Sequence, residues 1–263
     1  MKNQSYVLSL SYGKDSLACL GAIEELGLPL DRIVHAEVWA TDTIHADFPE
    51  MVEFKKKADK IIKDRYGIEV EHTRANKSYE DLFYTKYIRS KKGNNGRIYG
   101  FPMMVGGWCK RLKYGGECEI KIDGVQYLGI ACDEPNRFHN LNDKKRSPLV
   151  EAGWTEEMCR KWCEENDLLS PIYTTATRGG CWFCHNQGID QLRLLRKNHP
   201  DLWALLLKWD IDSPVSFKPD GHTVHDFDKR FETEEKGLVP ADRKFRWKML
   251  AHPTEKGGAS DAD

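Results

Sequence analysis

Residues 9–16 read Ser-Leu-Ser-Tyr-Gly-Lys-Asp-Ser, and they lie between an apolar run and an amphipathic segment. The apolar run, Tyr-Val-Leu at 6–8, is typical of a short buried strand. After the stretch, apolar side chains recur at the three-residue steps of one helical face: Leu17, Leu20 and Ile23. Gly27 then supplies a stop for that helix. The sequence therefore predicts a strand that turns directly into a helix.

The turn itself carries groups that suit a phosphate. A strand that bends through Ser and Gly into a helix aims several backbone N–H groups at one point, and the helix dipole adds partial positive charge there. Lys14 contributes a cation, while Ser11 and Ser16 contribute hydroxyl donors. Asp15 would repel a phosphate unless a divalent cation or a protonated group lay between them. The other interpretation is a glycine turn with a Ser or Asp helix cap.

Composition limits the class of protein. The chain has 263 residues, of which 40% are hydrophobic and 31% charged, and its formal net charge is −1. These values predict a globular protein with one ample core and no bulk attraction to nucleic acid or membranes. No apolar run reaches membrane-spanning length and the N-terminus lacks the form of a signal peptide, so we expect a cytoplasmic protein. The eight cysteines are then expected to be metal ligands, catalytic thiols or core residues before disulfides.

Strand-like and helical segments alternate along the first part of the chain. Strands are predicted at residues 33–39, 68–72 and 127–131, with a helix beginning after Asp47 as its cap. This alternation predicts an α/β fold with a doubly wound, mostly parallel sheet, whose ligands bind beyond the carboxyl ends of the strands.

Three segments make up the predicted domain organisation. Residues 1–187 are expected to form one domain that contains the phosphate-suited turn and the candidate metal-ligating cysteines. Residues 188–255 form a mainly helical C-terminal extension, with a break at Pro200 and irregular structure from Ser213 onward. Residues 256–263 are expected to be a disordered tail.

Residues 11–16 closely resemble the Ser-Gly-Gly-Lys-Asp-Ser pyrophosphate loop of the ATP-pyrophosphatase superfamily (PP-loop, adenine nucleotide alpha-hydrolase-like), with Tyr12 in place of one glycine. The resemblance is to its phosphoadenylylsulfate (PAPS) reductase-like family, which also has an Asp-Thr-Gly…Phe-Pro-Glu stretch similar to residues 41–50. It implies that the loop holds the phosphates of ATP or PAPS at the end of the first strand, with Mg²⁺ as a companion of ATP.

The resemblance also implies roles for individual residues. Catalytic roles fall on Lys14, Asp15 and Asp42. Nucleotide contacts fall on Ser9, Ser11, Tyr12, Gly13, Lys14, Asp15, Ser16, Gly129 and Arg137. The last two of these come from a loose match to a Gly-Ile-Arg-x-x-Glu-Ser-x-Arg segment, in which Ala131 replaces the first arginine.

Cys181-x-x-Cys184 lets two thiolates point at one metal. Adenylylsulfate reductases with a [4Fe–4S] cluster use a Cys-Cys pair and a later Cys-x-x-Cys, and Trp108-Cys109 stands where that pair would be. The resemblance therefore implies Cys109 as the third ligand. The fourth is Cys118, Cys132 or His185, or the position is open. The metal is a [4Fe–4S] cluster or Zn²⁺; buried thiols without metal are the other interpretation.

The predicted function is that of an ATP pyrophosphatase that adenylates a substrate for sulfur transfer. One alternative is a PAPS or adenylylsulfate reductase with an atypical thiol such as Cys132. The reductase tail Glu-Cys-Gly-x-His is missing, however, because no cysteine follows Cys184. Another alternative is a non-catalytic nucleotide-binding protein with structural zinc. The acceptor is left open among tRNA, DNA, a small metabolite and inorganic sulfate, and a sulfur-donor protein and a homodimeric state are further partners to test.

Overall fold

The structure, a computed structural model, describes residues 4–87, 96–102, 108–114, 123–174 and 180–251. At its centre is a five-stranded sheet in the order β3-β2-β1-β4-β5, and all of its neighbouring strands are parallel. The strands are β1 (Tyr6–Ser9), β2 (Arg32–Glu37), β3 (Val70–Arg74), β4 (Val125–Tyr127) and β5 (Lys145–Arg146). The predicted α/β fold with a doubly wound parallel sheet is confirmed.

Helices connect and cover these strands. Those before the fourth strand are α1 (Lys14–Leu26), α2 (Pro49–Tyr66), α3 (Tyr79–Thr85) and α4 (Arg111–Tyr114). Those after it are α5 (Pro148–Ala152), α6 (Glu156–Glu165), α7 (Ile189–Asn198), α8 (Pro200–Asp212) and α9 (Val224–Glu235). The break at Pro200 is confirmed, and so is the mainly helical character of the C-terminal extension.

The first helix packs closely against α6. Leu17, Leu20 and Ile23 are buried, as their spacing predicts, and Gly27 ends α1 in the left-handed conformation at φ 60°. A Cβ atom at Gly21 would lie 2.4 Å from Trp162 Nε1, so the contact between the two helices requires a glycine there. Cys159 and Cys163 on α6 are 0% exposed and contribute to the same core.

The strands predicted at residues 33–39 and 68–72 lie at Arg32–Glu37 and Val70–Arg74, and two further predictions differ from the structure. The fourth strand ends at Tyr127 rather than at Ala131, because the Ile130 N–H donates to the Leu128 carbonyl at 3.0 Å and bends the chain out of the ladder. Asp47 does not cap α2: Phe48 holds the N-cap position, and the Asp47 carboxylate pairs with Lys55 Nζ at 2.5 Å. A nearby buried cation competes successfully for the carboxylate.

The segment after Ser213 is also more regular than its sequence suggests, since α9 lies within it. The Thr223 hydroxyl accepts from the Asp226 N–H at 3.1 Å, and the Asp226 carboxylate accepts from the Thr223 N–H at 2.9 Å. This reciprocal capping box is a helix-start signal of the sequence. Phe227 and Phe231 are buried on the helix that follows.

The chain divides into two compact units. One spans Met1–Leu82 and Trp108–Trp182 and contains the sheet. The other spans Phe83–Gly107 and Phe183–Asp263 and contains α7, α8 and α9. Throughout the described ranges, no helix has both the length and the apolar character needed to cross a lipid bilayer. The predicted tail at 256–263 lies outside the described residues.

Candidate functional site

The turn at residues 11–16 lies where the order of the sheet reverses. It joins β1 to α1, and β1 pairs with β2 on one side and with β4 on the other. In open parallel sheets this is the place where the carboxyl ends of the strands leave a crevice for a ligand. The predicted site residue Gly129, just after β4, meets the turn there: a Cβ atom at this position would lie 2.6 Å from Ser16 N.

Serine side chains brace the turn from inside. The Ser11 N–H donates to Ser16 Oγ at 3.1 Å, and the two hydroxyl oxygens are 3.0 Å apart. The Ser16 hydroxyl in turn donates to the Gly13 carbonyl at 2.9 Å. Ser9, at the end of β1, accepts a hydrogen bond at 2.5 Å from the Gln126 side chain of β4. These contacts fix the shape of the bend and tie it to the neighbouring strand.

Lys14 begins α1, and its ammonium group forms ion pairs with two carboxylates. Its Nζ lies 2.6 Å from the Asp15 carboxylate and 2.7 Å from that of Glu156, at the start of α6. Burial lowers the pKa of the Lys14 ammonium, but the hydrogen bonds to both carboxylates outweigh it and leave that pKa above its usual range. Burial raises the pKa of Asp15, with Lys14 acting against the shift. The helix start therefore holds a firmly charged cation whose partners include an exposed carboxylate.

The main chain of Lys14 is also engaged. Its N–H donates to the Tyr173 hydroxyl at 3.1 Å, and its carbonyl accepts from the Cys163 thiol at 3.3 Å. Burial raises the pKa of the Tyr173 hydroxyl. A helix N-terminal N–H is a typical donor to a phosphate oxygen, and the tyrosine oxygen now accepts in that place. We call Lys14, Asp15, Glu156 and Tyr173 the Lys14 cluster.

The Tyr12 side chain points away from this cluster into the core. Tyr12 is 1% exposed and has φ 56°, which is unusual for a residue with a side chain. Its hydroxyl donates to the Asp59 carboxylate and lies 3.2 Å from His72 Nε2. His72 itself lies between two carboxylates, with Nδ1 2.8 Å from Glu37 and Nε2 2.9 Å from Asp59. We call Tyr12, Asp59, His72 and Glu37 the Tyr12 cluster.

Protonation in the Tyr12 cluster follows from these contacts. Hydrogen bonds to Asp59 and Glu37 raise the pKa of His72 to about 9, so its imidazole is charged at neutral pH. The hydrogen bond from His72 lowers the pKa of Glu37 to about 2, against the effect of burial. Burial, reinforced by Asp59, raises the pKa of the Tyr12 hydroxyl far above its usual range.

Two predicted site residues are not joined to the turn. Asp42 is exposed in a bend where the Thr41 hydroxyl accepts from the N–H groups of Thr43 and Ile44. Arg137 pairs with Glu134 at 2.7 Å. Among the described residues, no hydrogen bond or ion pair connects Asp42 or Arg137 with residues 11–16. Their predicted roles stay predictions.

The predicted metal ligands are placed as follows. Cys109 lies in a short 3₁₀ turn, Trp108–Lys110, where buried Trp108 stacks on Tyr79. Cys181 precedes Trp182, whose backbone N–H donates to the Ala46 carbonyl at 2.9 Å.

Cys184 belongs to the second compact unit. Cys118 lies outside the described residues. Within the part of the chain that the structure describes, no three His, Cys, Asp or Glu side chains converge as a metal site.

Glu156 and Tyr173 are the members of the Lys14 cluster that sequence reasoning did not find. They reach Lys14 across 142 and 159 positions of the chain. Glu156 does carry one signal, because acidic residues in the first turn of a helix are a common start pattern. That pattern explains its place on α6 and says nothing of Lys14. Tyr173 carries no signal of its own.

Comparisons with known proteins add little to this geometry. No family model and no curated protein matches the chain. One similar solved structure is the U34-tRNA thiolase NcsA from Methanococcus maripaludis with its [4Fe–4S] cluster. It is 16% identical, with a TM-score of 0.36 over 88% of this chain and 72% of the other. A likeness of this size carries no argument about function, so the proposals below rest on this chain's own residues.

Proposed function

We propose that this protein binds an adenine nucleotide at residues 11–16 and acts as an ATP pyrophosphatase that adenylates a substrate for sulfur transfer. The observation that supports this most is the position of Lys14. It begins a 13-residue helix directly after the central strand, where the sheet order reverses. A cation, a helix N-terminus and a ligand crevice therefore coincide at one residue.

In the proposed reaction an oxygen of the substrate attacks the α-phosphorus of ATP, and the bond from that phosphorus to the bridging oxygen of pyrophosphate breaks. The substrate becomes an adenylate and pyrophosphate leaves. The Lys14 ammonium and the N–H groups at the start of α1 would stabilise the negative charge that builds on the leaving group. For this, the phosphate would take the places on Lys14 that Glu156 and the Tyr173 hydroxyl now hold.

The residues present are compatible with Mg²⁺. Magnesium binds through one or two protein carboxylates together with phosphate oxygens, rather than through a cage of protein ligands. Asp15 lies beside Lys14, and the nearby carboxylates of Glu156 and Glu134 raise its pKa further, so the local charge favours a cation. Asp15 would hold Mg²⁺ when ATP is bound. The ion would shield the phosphates from the carboxylates around them.

The thiolate metal site is a separate part of the proposal. Cys109, Cys181 and Cys184 are partly exposed thiols of the donor type that iron–sulfur clusters and zinc accept. The sequence pattern supports these three cysteines as metal ligands. No step of the adenylation depends on them. The acceptor, a sulfur-donor protein, a homodimer and a cytoplasmic location also stay predictions.

The test is an anaerobic preparation analysed for iron and zinc and then incubated with ATP, Mg²⁺ and candidate acceptors. Release of pyrophosphate is the expected result, and AMP follows when sulfide added as the sulfur nucleophile displaces it from the adenylated substrate. Incubation with PAPS and a thiol reductant, with sulfite as the readout, is the matched reaction for a reductase. Sulfite without pyrophosphate would overturn the proposal in favour of reduction, and nucleotide binding with neither product would favour a binding module.

A further inference from the structure

Tyr12 adopts a backbone conformation that favours glycine. Its φ of 56° lies in the left-handed region, where a Cβ atom crowds the neighbouring carbonyl oxygen. A non-glycine residue stays in this region only when its surroundings hold it there. The Tyr12 side chain must therefore supply contacts that offset the strain of the turn.

The ring and the hydroxyl of Tyr12 both make such contacts. The ring packs edge-on against His35 with centroids 4.7 Å apart, and the Lys55 ammonium lies 5.2 Å from its centre. His35 is hydrogen-bonded to the Leu10 carbonyl at 2.8 Å, immediately before the turn. The Tyr12 hydroxyl ends on Asp59 of α2. The turn is thus fastened to β2 and α2 as well as to its own strand.

Titratable groups surround the tyrosine on every packed element, and Asp47, just before α2, pairs with Lys55. Glu37 and His35 come from β2, Asp59 and Lys55 from α2, and His72 from β3. His72 faces a carboxylate with each ring nitrogen. When His72 is protonated, both nitrogens donate. When it is neutral, one nitrogen carries no proton, so one of the two carboxylates loses its hydrogen bond from the imidazole, while Asp59 keeps that of the Tyr12 hydroxyl and Glu37 keeps that of Trp39 Nε1.

We propose that Tyr12 is a positioning residue for the phosphate-binding turn: its hydroxyl, held by Asp59 and His72, fixes the bend that presents Gly13 and Lys14 to the nucleotide. This inference rests on the proposed function, since it gives the turn's shape a purpose in nucleotide binding. Tyr12 contacts no phosphate through its side chain and acts through the backbone of the two residues that follow it.

The protonation state of His72 should then affect the conformation of the turn. The raised pKa of His72, about 9, places its titration above neutral pH. Loss of the proton removes the imidazole hydrogen bond from Asp59 or Glu37 and loosens the group of contacts that anchors the Tyr12 hydroxyl. Nucleotide affinity should therefore be constant near neutral pH and fall as the pH rises through the titration of His72.

The first measurement follows the backbone amide resonances of Gly13 and Lys14 from pH 6.5 to 10 without nucleotide. In the wild-type protein they should shift with the titration of His72. In Tyr12→Phe, which keeps the buried ring and removes the hydroxyl, that shift should be lost. Tyr66→Phe is the matched control, because Tyr66 also points its hydroxyl at a carboxylate, that of Glu24 at 3.4 Å. It should leave both amides unchanged.

The second measurement is ATP affinity over the same pH range. Tyr12→Phe should bind ATP about tenfold more weakly at pH 7, by loss of a hydrogen bond to a charged group, and lose the fall at high pH. In Asp59→Asn the histidine keeps only one carboxylate, so the amide and affinity midpoints should both move to lower pH.

The outcomes separate this inference from the proposed function. The positioning role would be overturned if the Gly13 and Lys14 amide resonances of the wild-type protein did not shift with the titration of His72. It would also be overturned if they shifted equally in Tyr12→Phe. Amides that titrate as expected in a protein that binds no ATP at any pH would support the coupling and overturn the proposed function. Wild-type affinity and pH profile in a folded Tyr12→Phe protein would contradict the positioning role directly.

Discussion

Tyr12 and Lys14 are two positions apart, yet their side chains enter opposite surroundings. Tyr12 is 1% exposed, whereas the Lys14 side chain is 14% exposed and pairs with a Glu156 side chain that is 51% exposed. The Lys14 cluster consists of contacts that an incoming phosphate could replace. The Tyr12 cluster consists of contacts to a buried tyrosine ring and hydroxyl, and its outer members His72 and Asp59 are 31% and 28% exposed. In the proposed nucleotide-binding turn, the contacts that a phosphate would exchange and the contacts that hold the shape of the turn therefore lie on different side chains of the same six residues.

The largest expected effect comes from removal of the buried Tyr12 side chain. Tyr12→Ala removes an aromatic ring from the core and leaves Asp59 and His72 without the tyrosine hydroxyl. We expect the free energy of unfolding to fall by about 3–5 kcal/mol, as for other buried aromatic side chains. Urea unfolding measures it. Tyr87→Ala, at a tyrosine that is 56% exposed, is the control and should change little.

How far the sequence predicts these two clusters depends on chain separation. The strand, turn and helix at residues 6–26 could be predicted because their apolar spacing and glycine stop are local. The burial of Tyr12 could not, since Asp59 and His72 meet it only after β2, α2 and β3 are in place. Glu156 and Tyr173 are farther still along the chain. Strand β5 has two residues, both polar and charged, and carries no apolar alternation to detect.

The next largest effect concerns Lys14, whose contacts a phosphate could replace. Lys14→Ala removes the cation at the start of α1, and nucleotide binding should weaken by about 1.5–3 kcal/mol, the range for hydrogen bonds to charged groups, or roughly 10- to 100-fold. Calorimetric titration with ATP measures it. Lys56→Ala, at an exposed lysine paired with Glu53, removes a positive charge from α2 and should bind as the wild type does. Equal affinity of all three proteins would contradict the assignment of Lys14.

A smaller effect appears as pH dependence of stability. His72 has a folded-state pKa of about 9 against an ordinary value of 6.5. Because the folded-state value is raised, the stabilisation is complete below pH 6.5 and is lost as the pH rises through 9. We expect about 1–2 kcal/mol after allowance for solvent screening.

Urea unfolding at pH 6 and pH 10 tests this contribution. The wild-type protein should lose more free energy of unfolding between the two pH values than His72→Gln does. The same loss in both proteins would place the pH dependence elsewhere in the chain.

The smallest expected effect is on ATP affinity and comes from a change at Glu156, the exposed partner of Lys14. Glu156→Gln removes the exposed carboxylate that competes with phosphate for Lys14 and keeps the size of the side chain. ATP binding should tighten by about 0.5–1 kcal/mol, the range of an exposed ion pair. Glu157→Gln, at the next position of α6, is the matched control. Weaker ATP binding in Glu156→Gln alone would instead make Glu156 a contact of the nucleotide complex.

Gly129 has a wider consequence for chains of this kind. A Cβ atom there would lie 2.6 Å from Ser16 N and 2.7 Å from Ser16 Cα, so main chain touches main chain where the two halves of the sheet meet. The turn after β1 and the chain after β4 meet here as peptide backbone, with no room for a side chain on residue 129. Peptide groups are common to every sequence, and only the glycine is demanded. A backbone contact of this kind can therefore recur in proteins that share few residues.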